Sequence, residues 1–194
     1  MDIIAFFMAM LTALAVENTV FSRALGLNRP ALYLNRAKAG IIYGGVFTWM
    51  AILSAMLASL VNYLLFGFEY ARYVRSLGFL VCVGIVYILT VILIQKVLPG
   101  HYESLRRVLP LTTFNTALFG ALYMSINQDF LHSVAYAAGI GIGYTAAVMI
   151  IFYAQKRLAM SNVPRSFRGM PILLIYLGLL SLAIHGLIGH ALPM

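Results

Sequence analysis

"ALAVENTVFSRALG", residues 13–26, interrupts an apolar run that begins at Ile3: a glutamate and an asparagine, Glu17 and Asn18, stand side by side within it, and Arg23 follows five residues later. An ionised carboxylate near the centre of a bilayer costs roughly 3 kcal/mol or more, so residues of this kind in a membrane helix need a reason. The composition makes the membrane setting plain. Of 194 residues, 63% are apolar and 9% are charged, where a soluble domain of this length carries roughly 25% charged residues.

Net charge is +8, but the basic residues lie between apolar runs and form no continuous basic face, which speaks against nucleic-acid binding and makes the charge topology information. A single cysteine, Cys82, rules out an intramolecular disulfide, a thiolate zinc site or an iron-sulfur cluster ligated by this chain alone. Any such cofactor would need ligands from a partner. The apolar start runs into "ALA" at residues 13–15, a loose match to a signal-peptidase site, yet residue 2 is Asp2 and no basic n-region precedes the run. Residues 1–22 are therefore expected to belong to the mature protein.

A helix needs about 20 predominantly apolar residues to cross the hydrocarbon core. That template finds six spans, Ile3 to Ser22, Ala39 to Leu65, Ser76 to Gln95, Leu109 to Ile126, Phe130 to Ala154 and Met170 to Leu192. The second, fifth and sixth contain no Asp, Glu, Lys or Arg. The first has only fourteen residues before Glu17, and the fourth carries Pro110, Thr112, Thr113, Asn115 and Thr116; both are expected to be interrupted. Eleven of the thirteen basic residues fall in the loops after spans one, three and five, against Arg72 and Arg75 on the other side. Basic loops stay in the cytoplasm, so both termini are expected outside it.

The two irregular spans resemble each other. "ENTVFSRALGL" (residues 17–27) sets against "FNTALFGALYM" (residues 114–124) without gaps, bringing Asn18 onto Asn115 and Thr19 onto Thr116 at an offset of 97 residues, half the chain. The same offset carries "YGGVFT" onto "IGIGYT", with Gly44 on Gly141 and Thr48 on Thr145. A unit of three spans is odd, so its second copy enters the membrane from the opposite side. The expected fold is thus one all-α membrane domain of six helices in two inverted three-helix repeats, about 1–97 and about 98–194, with helices 1 and 4 interrupted. Functional groups in such folds gather near the midplane on discontinuous helices, and broken backbone there must be covered by protein or line a cavity.

Glu17 is the one acidic side chain within a span; it reads as a cation or proton site, as a partner of Arg23, or as a residue of a solvated helix end. Asn18 and Asn115 can satisfy backbone freed at a break, or line a path. Together with Thr116 these residues are the ion-path candidates. His185 and His190 are five apart and share no helical face, His101 and His132 lie at loop edges, and no metal site is expected. Cys82, in "LVCVGIVY", reads as a small buried hydrophobe, and the chain has no Walker loop, HExxH motif or nucleophile elbow.

"LPLTTFNTALFGALY" (residues 109–123), "NVPRSFRGMPILLIYLGLLSLAIHGLIG" (residues 162–189) and "VENTVFSRALGL" resemble the six-span membrane subunits of the Rnf electron-transport complex and the sodium-translocating NADH:quinone reductase. The resemblance covers the whole chain and is nearest to the member with both termini outside, the A component of Rnf or the E component of the reductase. It implies an inverted repeat paired with a homologous six-helix subunit of opposite orientation, in the bacterial cytoplasmic membrane. In typical members cysteines on the broken helices of both subunits hold an iron-sulfur cluster, and other subunits carry flavin. The family's "GLCPF"-like stretch reads "GLNRP" here, placing Asn28 at one cysteine, and its "TTNCA"-like stretch reads "TFNTA", placing Thr116 at the other. An amide and a hydroxyl are not cluster ligands. The expected role is a scaffold, and an ion path, in an Rnf- or Nqr-like ion-translocating complex; the alternatives are a stand-alone inverted-repeat transporter and a structural paralogue without redox function.

Overall fold

The computed structural model describes residues 3–26, 37–65, 67, 70–97, 99–125 and 129–188, and among these residues the only regular structure is helical. Helix α1 (Ile3–Leu11) runs on into a wider π-helical turn, Thr12–Val16. Helices α2 (Ala37–Leu64) and α3 (Ala71–Val97) follow. A short 3-10 turn, Pro99–His101, leads into α4 (Tyr102–Thr113), which is separated by two residues from α5 (Thr116–Met124). The chain closes with α6 (Phe130–Ala159), a 3-10 turn at Arg165–Phe167, and α7 (Met170–Ile188).

Four of these helices are long and apolar enough to cross a membrane, over Ala37–Leu64, Tyr73–Val97, Phe130–Ala159 and Met170–Leu187. They correspond to the second, third, fifth and sixth expected spans. The first and fourth are made of shorter pieces, as the polar residues within them predicted, but their limits differ from expectation. Regular helix in the first stops at Val16 rather than Ser22, because the Asn18 side chain turns back on the preceding turn. The fourth begins at Tyr102 rather than Leu109. There Leu105, Leu109 and Thr112 face inward while Glu103, Arg106 and Arg107 face out, so the first turns are amphipathic and escape a count of apolar residues. Pro110 sits inside α4; it lacks an N–H and crowds the preceding turn, and the helix ends within four residues of it.

Helix α6 is the centre of the molecule, with 61% of its apolar window buried against 11% for α7. Its glycines explain why. Gly139 and Gly143, one helical turn apart, face the first broken helix: a Cβ on Gly139 would lie 2.9 Å from the Ala13 Cβ, and one on Gly143 would lie 2.8 Å from the Leu14 carbonyl oxygen. Gly141 turns instead to α2, where a Cβ would lie 2.7 Å from the Thr48 side chain, and reciprocally a Cβ on Gly44 would collide with Thr145. Small residues let helix backbones approach closely where lipid supplies no hydrophobic drive between them. Each threonine also donates its hydroxyl to a carbonyl one turn back, Thr48 to Gly44 and Thr145 to Gly141, both at 2.8 Å. One turn into this seam the rings of Phe47 and Tyr144 stack with centroids 4.1 Å apart.

Candidate functional site: two capped helix breaks

Both interruptions are built on an asparagine whose side chain accepts the amide two residues on. Asn18 Oδ1 accepts from the Val20 N–H at 3.0 Å, and Asn115 Oδ1 accepts from the Ala117 N–H at 3.0 Å. This is N-capping chemistry: the oxygen satisfies an amide that a helix start would orphan. At Asn115 it starts a true helix, α5, from an extended residue with φ −108° and ψ 132°. At Asn18 it starts only a run of turns from Thr19 to Arg23. The Asn18 Nδ2 also donates to the Leu14 carbonyl at 3.2 Å, so one amide serves both sides of the break. Both asparagines are buried.

The second amide has different partners. Asn115 Nδ2 donates to the Tyr144 hydroxyl at 2.7 Å and the Tyr43 hydroxyl at 3.2 Å. Tyr144 in turn donates to the Gly26 carbonyl and Tyr43 to the Leu111 carbonyl, each at 3.2 Å. A closed network results, in which α2, α6, the second break and the end of the first segment are tied through one buried amide. Gly26 is held against it: φ is +78°, and a Cβ there would lie 2.7 Å from the Tyr144 ring and 2.9 Å from Asn115 Oδ1. The Gly26 N–H donates to Thr116 Oγ1 at 3.0 Å.

Glu17 accepts a hydrogen bond from the hydroxyl of Tyr136, a buried residue of α6. It does not pair with Arg23, which is exposed; among the described residues the one ion pair joins His132 and Asp129, at 3.9 Å. Thr19, the counterpart of Thr116, is fully buried with its hydroxyl unpartnered.

The candidates therefore do not form one cluster. Asn115 and Thr116 meet around Gly26, whereas Glu17 and Asn18 lie along the other side of α6, beside Tyr136 and Gly143. Among the described residues no hydrogen bond joins the two asparagines. Asn28 lies outside the described residues, as does His190. Tyr43, Tyr136 and Tyr144 were not among the expected site residues. For Tyr144 a signal exists, since the 97-residue offset pairs it with Phe47, aromatic on aromatic. Tyr136 meets Glu17 across 119 residues with nothing in the pattern to announce it.

The donor set does not fit a thiolate-ligated cluster held by this chain alone. Thr116 offers a hydroxyl already engaged by Gly26, Asn28 would offer an amide, and Cys82 is buried in α3. Among the described residues no three His, Cys, Asp or Glu side chains converge as metal ligands.

An all-helical protein with four membrane-length apolar helices, two interrupted helices and a buried polar network where they meet is a polytopic membrane protein of the discontinuous-helix kind. Residues 6–190 match the family model described as "Rnf-Nqr subunit, membrane protein", and the chain belongs to that family. It is 31% identical over 187 residues to the A component of the ion-translocating oxidoreductase complex of Shewanella sediminis, covering 95% of this chain and 97% of the relative. It is 33% identical over 177 residues to the component of the same name from Shewanella amazonensis, covering 90% and 92%. The Psychromonas ingrahamii counterpart is 29% identical over 187 residues, covering 95% and 97%.

Proposed function

We propose that this chain is the A-type membrane component of an ion-translocating, NADH-linked electron-transport complex, in which it supplies scaffold and part of an ion path. The observation that carries the reading is near full-length similarity to relatives named as the A component of an ion-translocating oxidoreductase complex. Flavin and iron-sulfur centres would belong to partner subunits. A homologous six-helix subunit of opposite orientation is the expected neighbour, in the bacterial cytoplasmic membrane with both termini of this chain outside the cytoplasm. The lipid-facing sides of α3 and α7, rich in exposed Leu and Ile, leave area for that neighbour and for lipid.

The architecture in this reading is six spans in two inverted repeats. It is supported by pairs that exchange under the 97-residue offset: Gly44 against Thr145 with Gly141 against Thr48, the Phe47–Tyr144 stack, and the same cap at Asn18 and Asn115. An axis relating the halves would run between Phe47 and Tyr144. Glu17, Asn18, Asn115 and Thr116 are the ion-path residues of this reading, with Glu17 as its charged member and the unpartnered Thr19 hydroxyl close by in sequence.

Purification of the native complex tests the reading: flavin-bearing and iron-sulfur subunits should co-purify with this chain, and their absence would overturn it. The amide and hydroxyl at Asn28 and Thr116 favour a second reading, a stand-alone transporter or structural paralogue on the same scaffold. Ion uptake by vesicles holding this chain alone, abolished in Glu17→Gln, would establish the second reading over the first.

A further inference from the structure

Helices α6 and α7 are joined by residues 160–169, and this loop folds over an open pocket of about 670 Å³ where the two helices meet. Leu158, Ile172 and Leu173 belong to the apolar part of its lining, and Gln155, Ser161, Asn162 and Arg168 form the polar part. The loop is ordered by its own hydrogen bonds. Val163 N–H reaches the Ser161 carbonyl at 2.8 Å, and Arg168 Nε donates to the Val163 carbonyl at 2.9 Å. With Nε so held, the guanidinium is fixed in direction while its two terminal nitrogens have no carboxylate partner among the described residues.

Among the described residues none of the basic side chains around this pocket is in an ion pair. Lys156, Arg157, Arg165 and Arg168 lie within thirteen residues of one another, and no Asp or Glu occurs anywhere after Asp129. A 30-residue helix such as α6 is about 45 Å long, longer than the roughly 30 Å hydrocarbon core. Its basic C-terminal turn, and the pocket beside it, therefore stand at the level of lipid headgroups.

We propose that this pocket seats the headgroup of an anionic phospholipid, with Arg168 facing the phosphodiester and the α6–α7 seam receiving the start of an acyl chain. A planar guanidinium oriented through Nε presents its remaining donors as a fork, which matches phosphate oxygens two at a time. Basic pockets between membrane helices at the headgroup level take anionic lipids on these grounds. The apolar lining separates this seat from a site for a soluble anion, which would gain nothing from Ile172 and Leu173. The inference goes beyond the proposed function and stands whether or not the chain works in a redox complex.

Native mass spectrometry of the full chain in neutral detergent tests it, with phosphatidylglycerol, phosphatidylcholine and inorganic phosphate as separate probes. One phosphatidylglycerol should bind with about tenfold preference over phosphatidylcholine, and Arg168→Gln should weaken it about tenfold. Because Arg168 also braces the loop, Ile172→Trp provides a second variant: it fills the seam, leaves the guanidinium in place, and should displace the lipid as well. The paired change Arg106→Gln with Arg107→Gln should leave binding unaltered. Equal retention of both lipids, equal loss in the Arg106 and Arg107 variant, unchanged binding in both pocket variants, or displacement by millimolar inorganic phosphate would each overturn the proposal.

Discussion

The two helix breaks share their chemistry and differ in their surroundings. Asn18 and Asn115 each cap the amide two residues on, yet the first break directs its spare amide hydrogen to its own preceding turn, whereas the second directs both of its hydrogens to tyrosines from two other helices. The second break is thus cross-braced. The first is tied mainly to itself and carries the only carboxylate of the two, Glu17, on a single phenol from Tyr136. One break is fixed from other helices, and the other holds the carboxylate.

Changes at the second break should accordingly cost more. Asn115→Leu removes a cap and strips two buried tyrosine hydroxyls of a donor; a loss of about 3 kcal/mol follows from those terms together, read as a lowered unfolding midpoint of the purified chain. Asn18→Leu should cost about half as much, since it loses a cap and one part-buried bond to the Leu14 carbonyl and leaves no tyrosine hydroxyl of another helix without a donor. Equal losses at the two sites would erase the distinction between braced and unbraced breaks.

The seam between α2 and α6 offers a second comparison, between two glycine–threonine contacts. Gly44→Ala and Gly141→Ala each drive a methyl into the threonine of the other helix, and each should destabilise by about 2 kcal/mol. Thr145→Ser, which removes one methyl and keeps the hydroxyl, should recover part of the Gly44→Ala loss and none of the Gly141→Ala loss. A thermal-shift series on the two single and two double variants reads this directly.

Smaller effects are expected around Thr116 and Glu17. Thr116→Val deprives the Gly26 N–H of its acceptor and should cost about 1 kcal/mol, with Thr116→Ser nearly neutral. Glu17→Gln keeps an oxygen for the Tyr136 hydroxyl, so its effect on the unfolding midpoint should stay within about 1 kcal/mol. Ion-coupled turnover of the complex should nevertheless fall in Glu17→Gln if the carboxylate lies on the path. Unaltered turnover would remove Glu17 from it.

Much of this arrangement was legible in the residues. Glu17 and Asn18 marked the end of regular helix, and Pro110 with Asn115 marked the second interruption, because polar groups and a missing amide are costly in lipid and tolerated only where something answers them. The Gly44–Thr48 and Gly141–Thr145 pairs stood out in the sequence only as matching positions at the 97-residue offset; that each glycine packs on the other pair's threonine was not legible there. Helix limits were less accessible. Tyr102 to Val108 is helical because its apolar residues recur at helical spacing, a signal that a search for continuous apolar stretches passes over. The partners of the breaks, Tyr43, Tyr136 and Tyr144, depend on which faces of α2 and α6 meet, and no local pattern records that.

Helix α7 touches the rest of the chain lightly, and one of its few polar ties is the Ser181 hydroxyl on the Phe21 carbonyl at 2.5 Å. A segment that apolar needs no companion to enter a bilayer, so its insertion during synthesis is independent of its docking. The side-chain caps and tyrosine bonds at the two breaks lie upstream of it, in residues 14–144, and α7 adds its own tie to the first break through Ser181. By the time the ribosome releases α7, the network around Asn115 can already be sealed, and α7 arrives as a latecomer that lays one more bond on the first break.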